Sequence, residues 1–102
     1  MANESTSAQI GQAWRSHREG SNDTAIDQFG RILRSTPDSI DANYGLGLAN
    51  KALGNKSGAV EAFQRALDLT GKVEPTGEEE RARYMMLARM VSQRLEEVQG
   101  AQ

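Results

Sequence analysis

The chain has 102 residues, 37% of them hydrophobic and 25% charged, with a formal charge of -2 at pH 7. This suits a single domain with one modest core, stands apart from disordered compositions, and supplies no general attraction for nucleic acid. The absence of cysteine excludes disulfide frameworks and thiolate metal sites. The polar stretch Met1 to Gln9 lacks the basic start and apolar run of a signal peptide, and no segment approaches the roughly 20 apolar residues of a membrane span, so a cytoplasmic protein is expected.

The first predicted helix precedes Gly20 and carries Ile10, Ala13 and Trp14 among polar residues. It serves either as a polar cap at one end of the molecule or, if rotated, buries those three side chains. Gly20 is suited to end it. Ala25, Ile26, Phe29, Ile32 and Leu33 then recur at helical spacing, and Pro37 stops that second helix. Asp38 or Ser39 caps a third, which runs through Leu46, Leu48 and Leu53. Gly54 makes the next turn, and Asn55 to Ser57 start a fourth helix with Ala59, Val60, Phe63, Ala66 and Leu67 on its apolar face. Connections of about four residues force neighbouring helices antiparallel.

Gly71 to Gly77 reads as a longer loop, because it holds Gly, Pro and Thr where a short turn would suffice. Thr76 and the acids Glu78 to Glu80 make a favourable helix start, since negative charge suits the N-terminal end of the helix dipole. On the fifth helix Tyr84, Leu87, Ala88, Val91, Leu95 and Val98 share one face, and the helix ends near Gln99 and Gly100.

Self-comparison at a shift of 34 residues places Gly20 on Gly54, Ala25 on Ala59, Phe29 on Phe63, Arg31 on Arg65, Leu33 on Leu67 and Thr36 on Thr70. Unrelated segments this short would give roughly one identity, so an internal duplication is expected.

Period and residues together resemble the tetratricopeptide repeat, a 34-residue helix-turn-helix unit with a pattern of Trp, Leu-Gly, Tyr, Ala, Phe, Ala and Pro. Leu46 and Gly47 stand at the Leu-Gly places of the second unit, Ala59, Phe63 and Ala66 at its Ala, Phe and Ala places, and Ala25, Phe29 and Pro37 fit the first unit. The pattern departs at Asn43, Asn50 and Gly71 in the second unit and at Gln9, Gln12 and Ser16 in the first. The resemblance implies an all-α, right-handed superhelical stack of antiparallel helix pairs within one domain, residues 1–102. Repeat one then covers about 6–37, repeat two about 40–71, a loop about 71–77 and a closing helix about 78–99. Leu87 and Ala88 take the Leu-Gly places of an incomplete third unit.

No catalytic constellation is present. His17 is the only histidine, so neither a Ser-His-Asp triad nor a multi-histidine metal site can be assembled, and the scattered glycines form no phosphate-binding loop. A non-enzymatic protein without cofactor or metal is expected. The resemblance implies instead a concave groove that binds a protein or peptide segment, lined by Ile10, Trp14 and His17, by Tyr44, Leu48 and Lys51, and by Met85 and Arg89. Within each set the spacing keeps the residues on one helical stripe. Trp14 and Ile10 are equally readable as core, and Tyr44 and Leu48 as packing against a neighbouring helix. His17 reads as a surface or cap residue.

Ile10, Trp14, Gly45, Ala82 and Met86 occupy the places where some family members carry a polar clamp for a C-terminal carboxylate, so that ligand is disfavoured. Met86 and Met90 lie off the apolar stripe of the fifth helix. They either flatten against it in a monomer or mark a surface for homodimerisation, and self-association through that helix is the alternative function.

Overall fold

The computed structural model describes residues 6–100. Among them the chain forms five helices and no strand: α1 Thr6–Arg18, α2 Asn22–Ser35, α3 Ile40–Ala52, α4 Lys56–Lys72 and α5 Glu78–Gln99. Each helix packs on the next, and α1 also touches α3. The body is only 20 Å thick against 47 and 37 Å in its other dimensions, which is the depth of about two helices.

Local signals set the turns. Gly20 and Gly54 adopt φ of 86° and 80°, the left-handed region in which a Cβ is penalised. Each follows a helix whose last carbonyls it helps to satisfy. Gly20 N–H donates to the His17 carbonyl and Ser21 N–H to that of Ser16, while Gly54 and Asn55 repeat the pattern on Lys51 and Asn50, the double hydrogen bond of a Schellman cap. Ser39 caps α3 by accepting from Ala42 N–H at 3.0 Å, and Asn55 caps α4 by accepting from Gly58 N–H at 3.2 Å.

Helix α4 runs two residues past the start of the predicted loop. Gly71 and Lys72 remain helical, and the chain turns extended only at Val73, just before Pro75 restricts the backbone of Glu74. Before α5, Glu80 reaches back to accept from Thr76 N–H at 2.8 Å and from its hydroxyl at 3.1 Å. Those two bonds, Thr76 N–H first, hold the Glu80 carboxyl below the ordinary carboxylate value.

Two clusters make the core. Ala13, Ala25, Phe29, Ile32, Ala42 and Ala49 form one, and Ala59, Phe63, Ala66, Val91, Leu95 and Val98 form the other. Helix α3 lies between them and meets both through glycine. A Cβ on Gly45 would run into the Phe29 ring, and one on Gly47 would lie 2.5 Å from two atoms of the Phe63 ring. Both rings are completely buried. The missing side chains therefore open the space that two phenylalanines, 34 positions apart, fill from opposite sides.

Polar residues inside α3 are satisfied rather than stranded. Asn43, 1% exposed, donates to the carbonyls of Ser39 and Pro37. Asn50 donates to the Leu46 carbonyl and accepts from Asn55, which ties the end of α3 to the cap of α4. Burial of these amides without partners would cost about 1–3 kcal/mol each.

Helix α1 is rotated so that Ala13 is fully buried and Ile10 and Trp14 pack against the first cluster. Of the predicted apolar face of α5, Val91, Leu95 and Val98 are buried, while Tyr84, Leu87 and Ala88 are only half-buried. The C-terminal half of α5 is pinned to α3 by Lys51 Nζ, 2.8 Å from Glu97 Oε1, an oxygen that Arg94 also approaches at 3.1 Å. No described helix is long and apolar enough to cross a membrane.

Candidate functional site

Where α5 is not pressed onto its neighbours, a half-open cavity of about 580 Å³ remains, lined by residues of α1, α3 and α5 together with the turn before α3 and Val73. Helices α2 and α4 contribute nothing to it. Its wall on α1 and α3 is Trp14, Ile40 and Tyr44, and its wall on α5 is Tyr84, Leu87, Met90 and Val91. The shape follows from the sequence. Val91, Leu95 and Val98 dock α5 on Phe63, and Tyr84 and Leu87, further up the same stripe, are left facing space.

Trp14 is both core and cavity wall. Its ring meets Phe29 edge-on at 5.3 Å, lies 6.2 Å from Tyr44, and Tyr44 in turn lies 5.9 Å from Phe63. This aromatic chain links the two clusters, and each such pair contributes about 0.5–1.5 kcal/mol beyond its burial. The indole Nε1–H donates to Asp41 Oδ1 at 2.9 Å, so the ring is held at both its apolar body and its polar tip.

Charge at the mouth is unevenly placed. Asp38 and Asp41 stand at the start of α3, and Arg83 borders the α5 side. Arg83 is itself spoken for, with Glu80 at 3.6 Å and its guanidinium 5.8 Å from the Tyr84 ring centre. The cavity can therefore receive a bulky apolar side chain and present acceptors beside it. Among the described residues no three of His, Cys, Asp and Glu come together in a way that could hold a metal ion.

Of the residues expected to line a groove, Trp14 and Tyr44 meet at this cavity, whereas Ile10, His17, Leu48, Lys51, Met85 and Arg89 do not line it. Ile10 packs on the first core cluster and Leu48 on the second. His17 Nδ1 lies 2.6 Å from Asn22 Oδ1, and its ring sits edge-on to Trp14 at 6.0 Å, which makes it a brace for the α1–α2 turn. Lys51 is engaged with Glu97. Its hydrogen bond is the main cause that lowers the Glu97 carboxyl below the ordinary value.

Met85 is 61% exposed and sits roughly 140° around α5 from Met90, at about 100° per residue. Arg89 is exposed on that same outer side. Met90, expected at a self-association surface, also borders the cavity, while Met86 is 62% exposed. Ile40, Tyr84 and Leu87 were not among the expected groove residues. For Tyr84 and Leu87 the signal was present in the apolar stripe of α5, since they lie at its unpaired end.

Comparison with protein-family models, with curated proteins and with solved structures gives no match. A functional reading therefore rests on the geometry of this cavity and on the repeated pattern of the chain.

Proposed function

We propose that the chain is a non-catalytic interaction module of the tetratricopeptide-repeat kind, two repeats and a closing helix, that binds a protein segment on the face shared by α1, α3 and α5. The observation that carries this reading is the half-open cavity walled by Trp14, Ile40, Tyr44, Leu87 and Met90. An aromatic-lined recess with a few polar groups at its rim has the composition of a hot-spot pocket, which takes one anchoring side chain of a partner.

The internal repetition supports the architecture. Gly20 and Gly54 make the same left-handed turn, Ala25 and Ala59 are both fully buried, and Phe29 and Phe63 are the largest fully buried side chains, each pair separated by 34 positions. In stacked helical repeats the first helix of each unit lines a shared concave surface, and of the five helices the cavity draws only on the first, third and fifth.

Partner capture from the source cell tests the reading. Leu87→Glu, which puts a charge into the apolar wall, is expected to abolish retention of the partner. Glu61→Lys, on the exposed surface of α4, is expected to leave retention unchanged. The far-ultraviolet circular dichroism of both variants should match the parent. Equal retention by the Leu87 variant, once its fold is verified, refutes the groove.

A further inference from the structure

Helix α5 carries a second stripe that the described chain leaves uncovered. Ala82, Met85, Met86, Arg89 and Met90 are all exposed, the three methionines by 61, 62 and 39%. Their spacing is i, i+3, i+4, i+7 and i+8, the amphipathic series of a helix that packs against a neighbour. At about 100° per residue they occupy a sector roughly 140° wide on the side away from Val91. A helix that closes a stack needs a polar outer face. This one presents unbranched, adaptable methionines beside a small alanine, a composition suited to close helix contact.

Charge on the same stripe indicates what covers it. Glu78 and Glu79 lie at its N-terminal end, and Arg89 lies about 15 Å farther along the axis at 1.5 Å per residue. All three are exposed, and none forms an ion pair among the described residues. Acid at one end and base at the other make the stripe complementary to itself in the antiparallel sense. A parallel arrangement would oppose acid to acid and Arg89 to Arg89.

We propose that α5 pairs antiparallel with α5 of a second copy of this chain, about a two-fold axis midway between Ala82 and Met86. In that arrangement Met86 of each copy packs on Ala82 of the other, and the two Met85 side chains meet near the axis. Arg89 of each copy comes beside Glu78 and Glu79 of the other, so the same patch serves both sides, as a two-fold interface requires. A single helix pair falls at the small end of specific interfaces, so the dimer is weak, with a Kd on the order of 10–100 μM. The pairing makes specific the self-association expected from Met86 and Met90. It is independent of the groove, since Tyr84 and Leu87 face the other way and Met90 alone borders both.

Sedimentation of the full chain from about ten micromolar to one millimolar tests the pairing. The mass is expected to rise from 11.1 kDa toward twice that value. Met86→Glu should hold the chain monomeric over this range with its helical signal unchanged, because Met86 makes no core contact. Arg89→Glu alone, and Glu78→Lys with Glu79→Lys alone, should each weaken the dimer several-fold by opposing like charges. An equimolar mixture of the two variants restores both cross-pairs and should recover dimerisation.

A parent chain that stays monomeric at one millimolar overturns the proposal. A dimer that survives Met86→Glu overturns it by placing the contact elsewhere on the molecule. Loss of the dimer in Met86→Glu with no recovery in the mixture overturns the antiparallel arrangement. None of these outcomes bears on partner capture by the Leu87 wall.

Discussion

Substituting the glycines of α3 separates close packing from helix propensity, because the two effects have opposite signs there. In a helix interior Gly→Ala stabilises by up to about 1 kcal/mol through propensity alone. At Gly45 the added Cβ would lie 2.5 and 2.7 Å from the two Cε atoms of Phe29, and at Gly47 it would lie 2.5 Å from Cδ1 and Cε1 of Phe63. Ordinary carbon contacts are about 3.5–4.0 Å. Both rings are fully buried and have no open side to retreat to, so the cost falls at the upper end of the roughly 1–3 kcal/mol seen for overpacking.

The expected net loss is about 2 kcal/mol for either substitution, a fall in Tm of about 10 °C for a domain of this size. Gly11 and Gly30, also helical, have nothing within 4 Å of the position a Cβ would take, and Ala there should stabilise by about 0.5–1 kcal/mol. Urea unfolding followed by circular dichroism reads all four variants on one scale. A gain in stability for Gly45→Ala and Gly47→Ala equal to that for Gly11→Ala would mean that the phenylalanine rings are not seated against α3.

Asn50→Ala should cost about 1–2 kcal/mol in urea unfolding, since Asn50 is 6% exposed and its Oδ1 holds the capping Asn55 in place. Ser39→Ala removes the cap of α3 and should cost about 1 kcal/mol, whereas Ser39→Asp should be nearly neutral. The carboxyls of Glu97 and Glu80 lie below the ordinary value in the folded chain, held down chiefly by the Lys51 hydrogen bond and by Thr76 N–H respectively. Their contribution is present above the unfolded-state pKa and is lost as pH falls through the folded value. The urea midpoint should therefore decline on acidification from about pH 6 to about pH 3, and Glu97→Gln with Glu80→Gln should flatten that decline.

Helix existence and turns were legible in the sequence because they rest on local chemistry. Gly20 and Gly54 take the left-handed conformation, Ser39 and Asn55 cap the helices they precede, and the apolar spacing marks the buried faces. Gly47 and Phe63, which seat against each other, both stand at marked places of one 34-residue unit. The matching seat of Phe29 against Gly45 was not legible, because it joins one unit to the next and is written in no single unit. The end of α4 was placed two residues early, since Gly71 alone does not stop a helix whose next restriction is Pro75.

The side of α5 that borders the cavity differs from the expected groove side for a different reason. Its rotation is set by the strongest apolar anchors, Val91, Leu95 and Val98 on the Phe63 cluster, and not by the register of Leu87 and Ala88 with Leu46 and Gly47. That rotation turns Leu87 and Met90 toward Tyr44 and carries Met85 and Arg89 outward. Lys51, an expected groove residue, lies 2.8 Å from Glu97 on α5, a pairing 46 positions apart that local pattern does not encode.

Trp14 is the only tryptophan and stands in the cavity wall, so its indole N–H resonance is a single, unambiguous reporter of that face. Titration of the isotope-labelled full chain with the captured segment, followed by chemical-shift mapping, should move the Trp14 indole signal together with Tyr44, Leu87 and Met90. Shifts confined to α2 and α4, at residues such as Arg31 and Arg65, with the indole signal unmoved, would contradict the proposed binding face.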